Sequence, residues 1–363
     1  MFSATLSRLR CPKCRGGLKL PPGAEASTAD ILSGALDCPK CRTAYPILAG
    51  VAVLVEPVEE YLCAHAKGIS KLVKDSEIPK QYRRAYQEAL QEMREMGPDH
   101  IEEDLESDRV NALYLMNHYI ATRDLDFAGP DPMIREWVAK VWDKGPLEEV
   151  AMRVAEIDVP GLSVVEQGCG VGGLARRIFQ KKGDGRSYLG VDSSFASIAL
   201  ARHLNLGAPY GAKIQYPADL IEGVVSKAFP KILPLGTTDV DFVVGDLSVM
   251  PVQVGSWDVA VSMNAIDMLE NPNDMPKSQA KLLKPKGIAI QTGPYIWHPE
   301  VAKNLRAQFP KAASDSATMV KELYLENGFE LAESRDQIPW LFFKHHRQIE
   351  LYSVHLLVMK KKG

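Results

Sequence analysis

The run LSVVEQGCGVGG at residues 162–173 constrains the fold more than any other stretch of the chain. An apolar strand pattern through Leu162, Val164 and Val165 leads into a turn with glycine at 168, 170, 172 and 173. The helical pattern of Leu174, Ala175, Ile178 and Phe179 follows at once. A strand that ends in a glycine turn and resumes as a helix is the opening of a parallel crossover unit, so an α/β domain is expected, with its ligand at the carboxyl ends of the strands. Gly168 and Gly170 let the backbone approach a nucleoside closely, and Gly172 eases the helix against the strand. Dinucleotide enzymes share the Gly-x-Gly pattern, so the continuation has to decide.

About twenty residues on, YLGVDSS at 188–194 is a second strand ending in an acid. A carboxylate there accepts both hydroxyls of a ribose; the alternative is that Asp192 caps the next helix, a role equally open to Ser193 or Ser194. The third strand, VDFVVGDL at 240–247, ends with Asp246, able to accept an adenine amino group, and Leu247, able to pack beside the ring. The fourth is WDVAVSMN at 257–264, followed by AIDML and later by LLKPKGIAI at 282–290.

As an ordered set over residues 162–292, these motifs resemble the class I methyltransferases: Glu-x-Gly-x-Gly-x-Gly, an acid-ended strand, Gly-Asp, then a strand followed by Leu-Lys-Pro-x-Gly. The resemblance implies a Rossmann-like, seven-stranded mixed sheet with helices on both faces, the last strands running from about 329 to 359. It also implies S-adenosylmethionine as methyl donor and S-adenosylhomocysteine as product. On that likeness Glu166, Gly168, Gly170 and Gly172 hold the methionine moiety and Asp192 the ribose, with Ser193 beside it. Asp246 and Leu247 would hold the adenine, and Asn264 would lie beneath the reactive sulfur.

Methyl transfer from a sulfonium starts with an excellent leaving group, so positioning can supply much of the acceleration, and a base is needed only if the acceptor loses a proton. The fourth strand is not followed by Asn/Asp-Pro-Pro-Tyr/Phe, which disfavours an exocyclic adenine amine or a glutamine amide; nor is there a Pro-Cys or Thr-Cys pair for cytosine C5. Candidate catalytic groups are Asp267, just past the fourth strand, and His298, with Tyr295 near it; Trp340 and residues 345–347 are further acceptor-side candidates. Against these stand plainer roles: a helix cap for Asp267, a surface loop for His298 and a solvated turn for 345–347.

Four of the six cysteines form two Cys-Pro-Lys-Cys tetrads, Cys11 with Cys14 and Cys38 with Cys41. Two such knuckles complete the closed tetrahedral thiolate set that structural zinc prefers, leaving no open position for a catalytic water. Lys13, Arg15, Lys40 and Arg42 place cations near the thiolates. Cys63 and Cys169 read as isolated thiols. After the second knuckle, residues 45–54 form an apolar strand pattern broken at Gly50. Over residues 8–56, the Cys-Pro-x-Cys, the Gly17-Leu18 step, the second Cys-x-x-Cys, Tyr-Pro-Ile and Gly-Val-x-Val-Leu resemble the small zinc-ribbon activator that partners tRNA and translation-factor methyltransferases. The resemblance implies a built-in scaffold for the enzyme.

Between these regions, a segment dense in charge and aromatics has apolar residues recurring at helical spacing, which predicts several helices, with the acidic run at 102–106 as a solvated face. A second stretch covers Tyr114 to Tyr119 and then 127–130; in the enzyme class it resembles, such preceding helices close over the cofactor. His118 and Tyr119 either face the methyl donor or simply pack. The domains are therefore expected at 1–57 (zinc ribbon), 58–155 (helical connector and cap) and 156–363 (methyltransferase).

A net charge of -3 argues against a DNA-coating surface, and no apolar run is long enough to span a membrane, so a cytoplasmic protein is expected. A small-molecule acceptor is favoured, with RNA or a translation factor as the rival on account of the ribbon. A cofactor-binding regulatory protein without catalysis is the alternative of another class.

Overall fold

The computed structural model describes residues 1–21, 30–95, 108–120, 131–211, 214–216, 227–345 and 348–363. The acidic run at 102–106, the stretch 127–130 and residues 346–347 lie outside the described residues. In chain order the strands are β1 (Gly34–Asp37), β2 (Ala44–Leu48), β3 (Val51–Leu54), β4 (Ser163–Gln167), β5 (Ser187–Asp192) and β6 (Gln215–Tyr216). Then come β7 (Lys227–Ala228), β8 (Val240–Gly245), β9 (Trp257–Met263), β10 (Leu283–Gly293), β11 (Phe329–His345) and β12 (Gln348–Lys361). The fold is mixed α/β, with a methyltransferase-like parallel sheet, a four-cysteine cluster at its N-terminal end and a helical segment between. Among the described residues no helix is long and apolar enough to cross a membrane.

The chain divides into two compact units. The first comprises Met1–Tyr119, Gly170–Arg176 and Leu189–Gln253. Its strands follow the order β1-β2-β3-β8-β5. β2 and β3 form a hairpin in which Leu48 pairs with Val51, leaving a two-residue turn. Ala49 and Gly50 there both have positive φ (48° and 82°), as a turn matched to strand twist demands. β3 then pairs parallel to β8, Val53 opposite Val244 and Leu54 opposite Gly245. Both strands are buried at every residue, which explains their largely apolar sequences, with Asp241 the one charge in β8. The helix Phe195–Leu206 is started by Ser194, whose hydroxyl accepts from the Ser197 amide at 3.1 Å, and stopped by Gly207 at φ 74°.

Within this unit Arg202 is fully buried and ion-paired with Asp241 and, at 2.5 Å, with Asp30. Asp241 also accepts from the Phe2 amide (2.9 Å) and the Thr5 hydroxyl (2.7 Å), and the Met1 ammonium donates to Asp30 at 2.6 Å. The cluster ties the first residues to the helix Phe195–Leu206 and to β8. Arg202 and Asp241 are compensated by each other and not by water, so removing one leaves the other stranded.

The second unit comprises Ile120–Cys169, Arg177–Tyr188 and Val254–Gly363, with strand order β4-β9-β10-β12-β11. β4, β9 and β10 are parallel, with Val164 opposite Val259 and Ile290 opposite Val261. β12 runs antiparallel to both β10 and β11. β11 and β12 account for the strands expected at the C-terminal end. Arg153, on the helix Pro146–Glu156, reaches Glu149 on its own helix and both carboxylate oxygens of Glu333 on β11. That fork fixes the helix against the sheet edge.

Replacing Asp241 with Ala strands the Arg202 guanidinium in the core. The expected loss is about 3–5 kcal/mol of unfolding free energy, read as a lowered urea midpoint at an unchanged slope.

Candidate functional site

In the first unit, the expected ribose acid and the glycine turn are joined directly. Gly170 (φ 49°) donates its amide to one oxygen of Asp192 at 2.8 Å, and the Ser194 amide donates to the other at 2.9 Å. Asp192 is half-buried at the end of β5. It therefore links the turn to the helix start, while the capping of that helix falls to Ser194. Ser193 is exposed, and its carbonyl accepts from the Tyr61 hydroxyl at 2.6 Å.

A Cβ added at Gly170 would meet open space, whereas one at Gly172 (φ 77°) would lie 2.8 Å from the Phe242 ring and 2.9 Å from Asn205. The first glycine leaves a cradle in front of the turn; the second permits close packing behind it. At the end of β8 a Cβ on Gly245 would collide with Pro251 and Val191 at 2.7 and 2.8 Å. Asp246 follows, exposed, with one oxygen engaged by the Ser248 amide and hydroxyl, both at 2.7 Å. Leu247 beside it is half-buried.

The same unit holds the metal-ligating candidates. The thiol sulfurs of Cys11, Cys14, Cys38 and Cys41 all lie within 4.8 Å of one another, with Cys11–Cys41 at 3.5 Å and Cys14–Cys38 at 3.4 Å. Tetrahedral zinc at about 2.3 Å from each sulfur separates them by about 3.8 Å, so this donor set fits that ion. The two knuckles share one backbone design. Arg15 and Arg42, each at φ 62°, donate their amides to the carbonyls of Cys11 and Cys38 at 2.8 Å. Gly16 leaves room for the cluster, since a Cβ there would sit 3.2 Å from the Cys38 sulfur. The Arg15 guanidinium donates to the carbonyls of Met250 and Val252 at 2.5 and 2.7 Å, and Leu9 bridges Val252. The first knuckle is thereby fastened to the segment that follows Asp246.

In the second unit, Glu166 is buried on β4 and accepts a hydrogen bond from Tyr188, and Gly168 turns the chain at φ 76°. Asn264 ends β9 in the left-handed region (φ 53°), held by its amide to the Thr292 carbonyl (2.9 Å) and by the Thr292 hydroxyl (3.2 Å). An asparagine tolerates that conformation better than most side chains. Asp267 accepts from the Ile296 amide at 2.8 Å, which draws the two loops after β9 and β10 together. Burial pushes its carboxyl up despite that bond. His298 is exposed at the start of the helix Pro299–Gln308 and does not cap it with its side chain.

Tyr295, at φ 59°, donates to or accepts from His355 Nδ1 at 2.8 Å, and His355 Nε2 meets the Ser334 hydroxyl at 2.9 Å. Burial lowers the His355 pKa, while Asp336 and Asp315 oppose it. A Cβ at Gly293 would lie 2.8 Å from the Tyr295 ring, so the turn needs that glycine.

Three of these contacts escape sequence reading: Tyr188 to Glu166, His355 behind Tyr295, and Tyr119 to the Val171 carbonyl. The one available signal was a polar tip on an aromatic ring, which requires a partner when buried without saying which.

Residues 165–291 match the methyltransferase-domain family, and residues 3–50 match the Trm112p-like protein family. No curated protein matches the chain. Among solved structures, the complex of the Haloferax volcanii Trm112 methyltransferase activator with a putative methyltransferase is 20% identical, covering 64% of this chain and 95% of that one, at TM-score 0.39. A putative sarcosine dimethylglycine methyltransferase from Galdieria sulphuraria is 12% identical, covering 69% and 98%, at TM-score 0.43. Magnesium protoporphyrin IX methyltransferase from Synechocystis, with bound S-adenosylhomocysteine, is 17% identical, covering 70% and 100%, at TM-score 0.39.

Two outcomes follow. Gly172→Ala forces a Cβ against Phe242 at an unfavourable φ and should cost about 1–3 kcal/mol of stability, measured by thermal melting. Zinc should be recovered at one ion per chain by elemental analysis, and Cys38→Ser should lose it together with a melting drop of several degrees.

Proposed function

We propose that this chain, an S-adenosylmethionine-dependent methyltransferase preceded by a Trm112p-like region, methylates a small-molecule acceptor. The observation that carries the cofactor assignment is the bracketing of Asp192 by the Gly170 and Ser194 amides. The Gly170 and Ser194 amides fix that carboxylate at the end of β5, where the methyltransferase likeness puts the acid that accepts ribose hydroxyls. Gly168 and Gly170 open the turn in front of the methionine moiety, Glu166 orients it, Asp246 and Leu247 take the adenine, and Asn264 lies at the reacting end. When bound, the cofactor supplies an electrophilic methyl group on a sulfonium.

The protein's share of the reaction is then orientation and exclusion of water. Asp267, with its raised pKa and its bond to the Ile296 amide, is suited to orient an acceptor or to take its proton. His298, exposed, contributes from the rim.

The acceptor class rests on the loops after β9 and β10. Neither 264–273 nor 293–298 contains a lysine or arginine, and Met268 and Ile296 are exposed on either side of the Asp267 contact. A rim without cations, carrying instead the carboxylates of Asp267 and Glu270, suits a small organic acceptor better than a phosphate backbone, whose binding is dominated by cations. The second reading, RNA or a translation factor, is favoured by the Trm112p-like match at residues 3–50. Structural zinc in the four-cysteine cluster acts as scaffold in either case.

Asp192→Ala should weaken S-adenosylhomocysteine binding at least tenfold by calorimetry, since two charge-assisted hydrogen bonds are lost. With methyl-labelled donor supplied to cell extract, label is expected in the low-mass fraction. Label in RNA or protein alone would overturn the acceptor assignment, and binding without any transfer would favour a regulatory role.

A further inference from the structure

The helix Asp108–Tyr119 ends on the glycine turn. The Tyr119 hydroxyl donates to the Val171 carbonyl at 2.5 Å and accepts from Asn205 Nδ2 at 2.9 Å. The same Asn205 nitrogen reaches the Gly172 carbonyl at 3.2 Å and the Ala201 carbonyl at 2.9 Å. Two consecutive carbonyls of the turn are thus held from behind by one tyrosine and one fully buried asparagine.

Apolar contacts reinforce this hold. Leu115, Val171, Leu200 and Leu204 form one buried cluster, with Tyr114 and Tyr119 packed against it. His118 lies over the start of the following helix, close enough that a Cβ on Gly173 would approach it to 2.6 Å. Further along the helix, Asn111 accepts from the Ser197 hydroxyl at 3.0 Å, both side chains being buried.

The turn has unusual need of such support. Gly170 and Gly172 both lie at positive φ, and glycine gives up more conformational freedom on ordering than any other residue. A turn that must present its front to a ligand has to be fixed through its back, and here the groups on its back are carbonyls that require donors.

We infer that Tyr119 is a positioning residue for S-adenosylmethionine, holding the glycine turn through the Val171 carbonyl, so that seating of the helix Asp108–Tyr119 and binding of the cofactor favour each other. Whatever orders the turn lowers the cost of the other event, and the coupling is reciprocal. The inference rests on the cofactor assignment of the preceding section and goes further in giving the helix, which lies outside the matched methyltransferase residues, a part in cofactor affinity.

The test uses the full chain, with S-adenosylhomocysteine as the probe. Tyr119→Phe keeps the ring in its apolar cluster and removes only the hydroxyl. Calorimetry should show about tenfold weaker binding with the ligand-free melting temperature within about 2 °C of the parent. Hydrogen exchange should show the probe slowing amides in both the turn and the helix of the parent, but not those of the helix in the variant. Tyr119→Ala, which also empties the ring site, should lower the melting temperature as well, and its further loss of affinity over Tyr119→Phe should be small. Affinity of Tyr119→Phe within twofold of the parent, or helix exchange indifferent to the probe in the parent, overturns the inference and leaves the cofactor assignment standing. Failure of the parent itself to bind the probe overturns both.

Discussion

A guanidinium sealed from water organises the first unit. Arg202 has Asp241 and Asp30 for partners, and these two carboxylates in turn collect the Phe2 amide, the Thr5 hydroxyl and the Met1 ammonium. An isolated buried ion is prohibitively costly, so each member holds its place only while the others do. The four points so fixed are the first residues, the segment before β1, β8 and the helix that follows β5. A geometry that needs β8 and β5 in register with one another inherits its precision from this cluster, because Asp241 lies on β8 and Arg202 on the helix entered directly from β5.

The glycine turn shows a similar division between front and back. On the front, Gly170 has an open cradle and points its amide at Asp192. On the back, Phe242 and Asn205 leave no room for a side chain at Gly172, and Tyr119 and Asn205 hold the carbonyls. The two faces therefore set different demands on neighbouring glycines, one left open and one filled by packing. Burial and hydrogen bonding behind the turn are what make a flexible sequence behave as a rigid one.

Much of this was legible in the residues. The strand, glycine turn and helix at 162–179 announced a parallel crossover, the four cysteines announced two knuckles converging on one point, and the largely apolar runs of β4, β8 and β9 announced strands. Local signals of this kind are written within a few residues. What stayed hidden depends on partners far away in sequence. Nothing around Val51 says that it leads a strand into register with Val244, and nothing around Arg202 distinguishes a buried cation from a surface one. Tyr119 and His355 read as ordinary aromatic residues until the groups they meet, 52 and 60 residues away for the Tyr119–Val171 and Tyr295–His355 pairs, are in place.

The parallel pairing of β3 with β8 has one more consequence. Both strands belong to a single polypeptide, so the contact between the hairpin that follows the cysteine knuckles and the methyltransferase-like sheet is made without a bimolecular encounter. Where two separate chains would drift apart as their concentration falls, here the junction is indifferent to dilution, and the ratio of the four-cysteine region to the methyltransferase domain is fixed at synthesis.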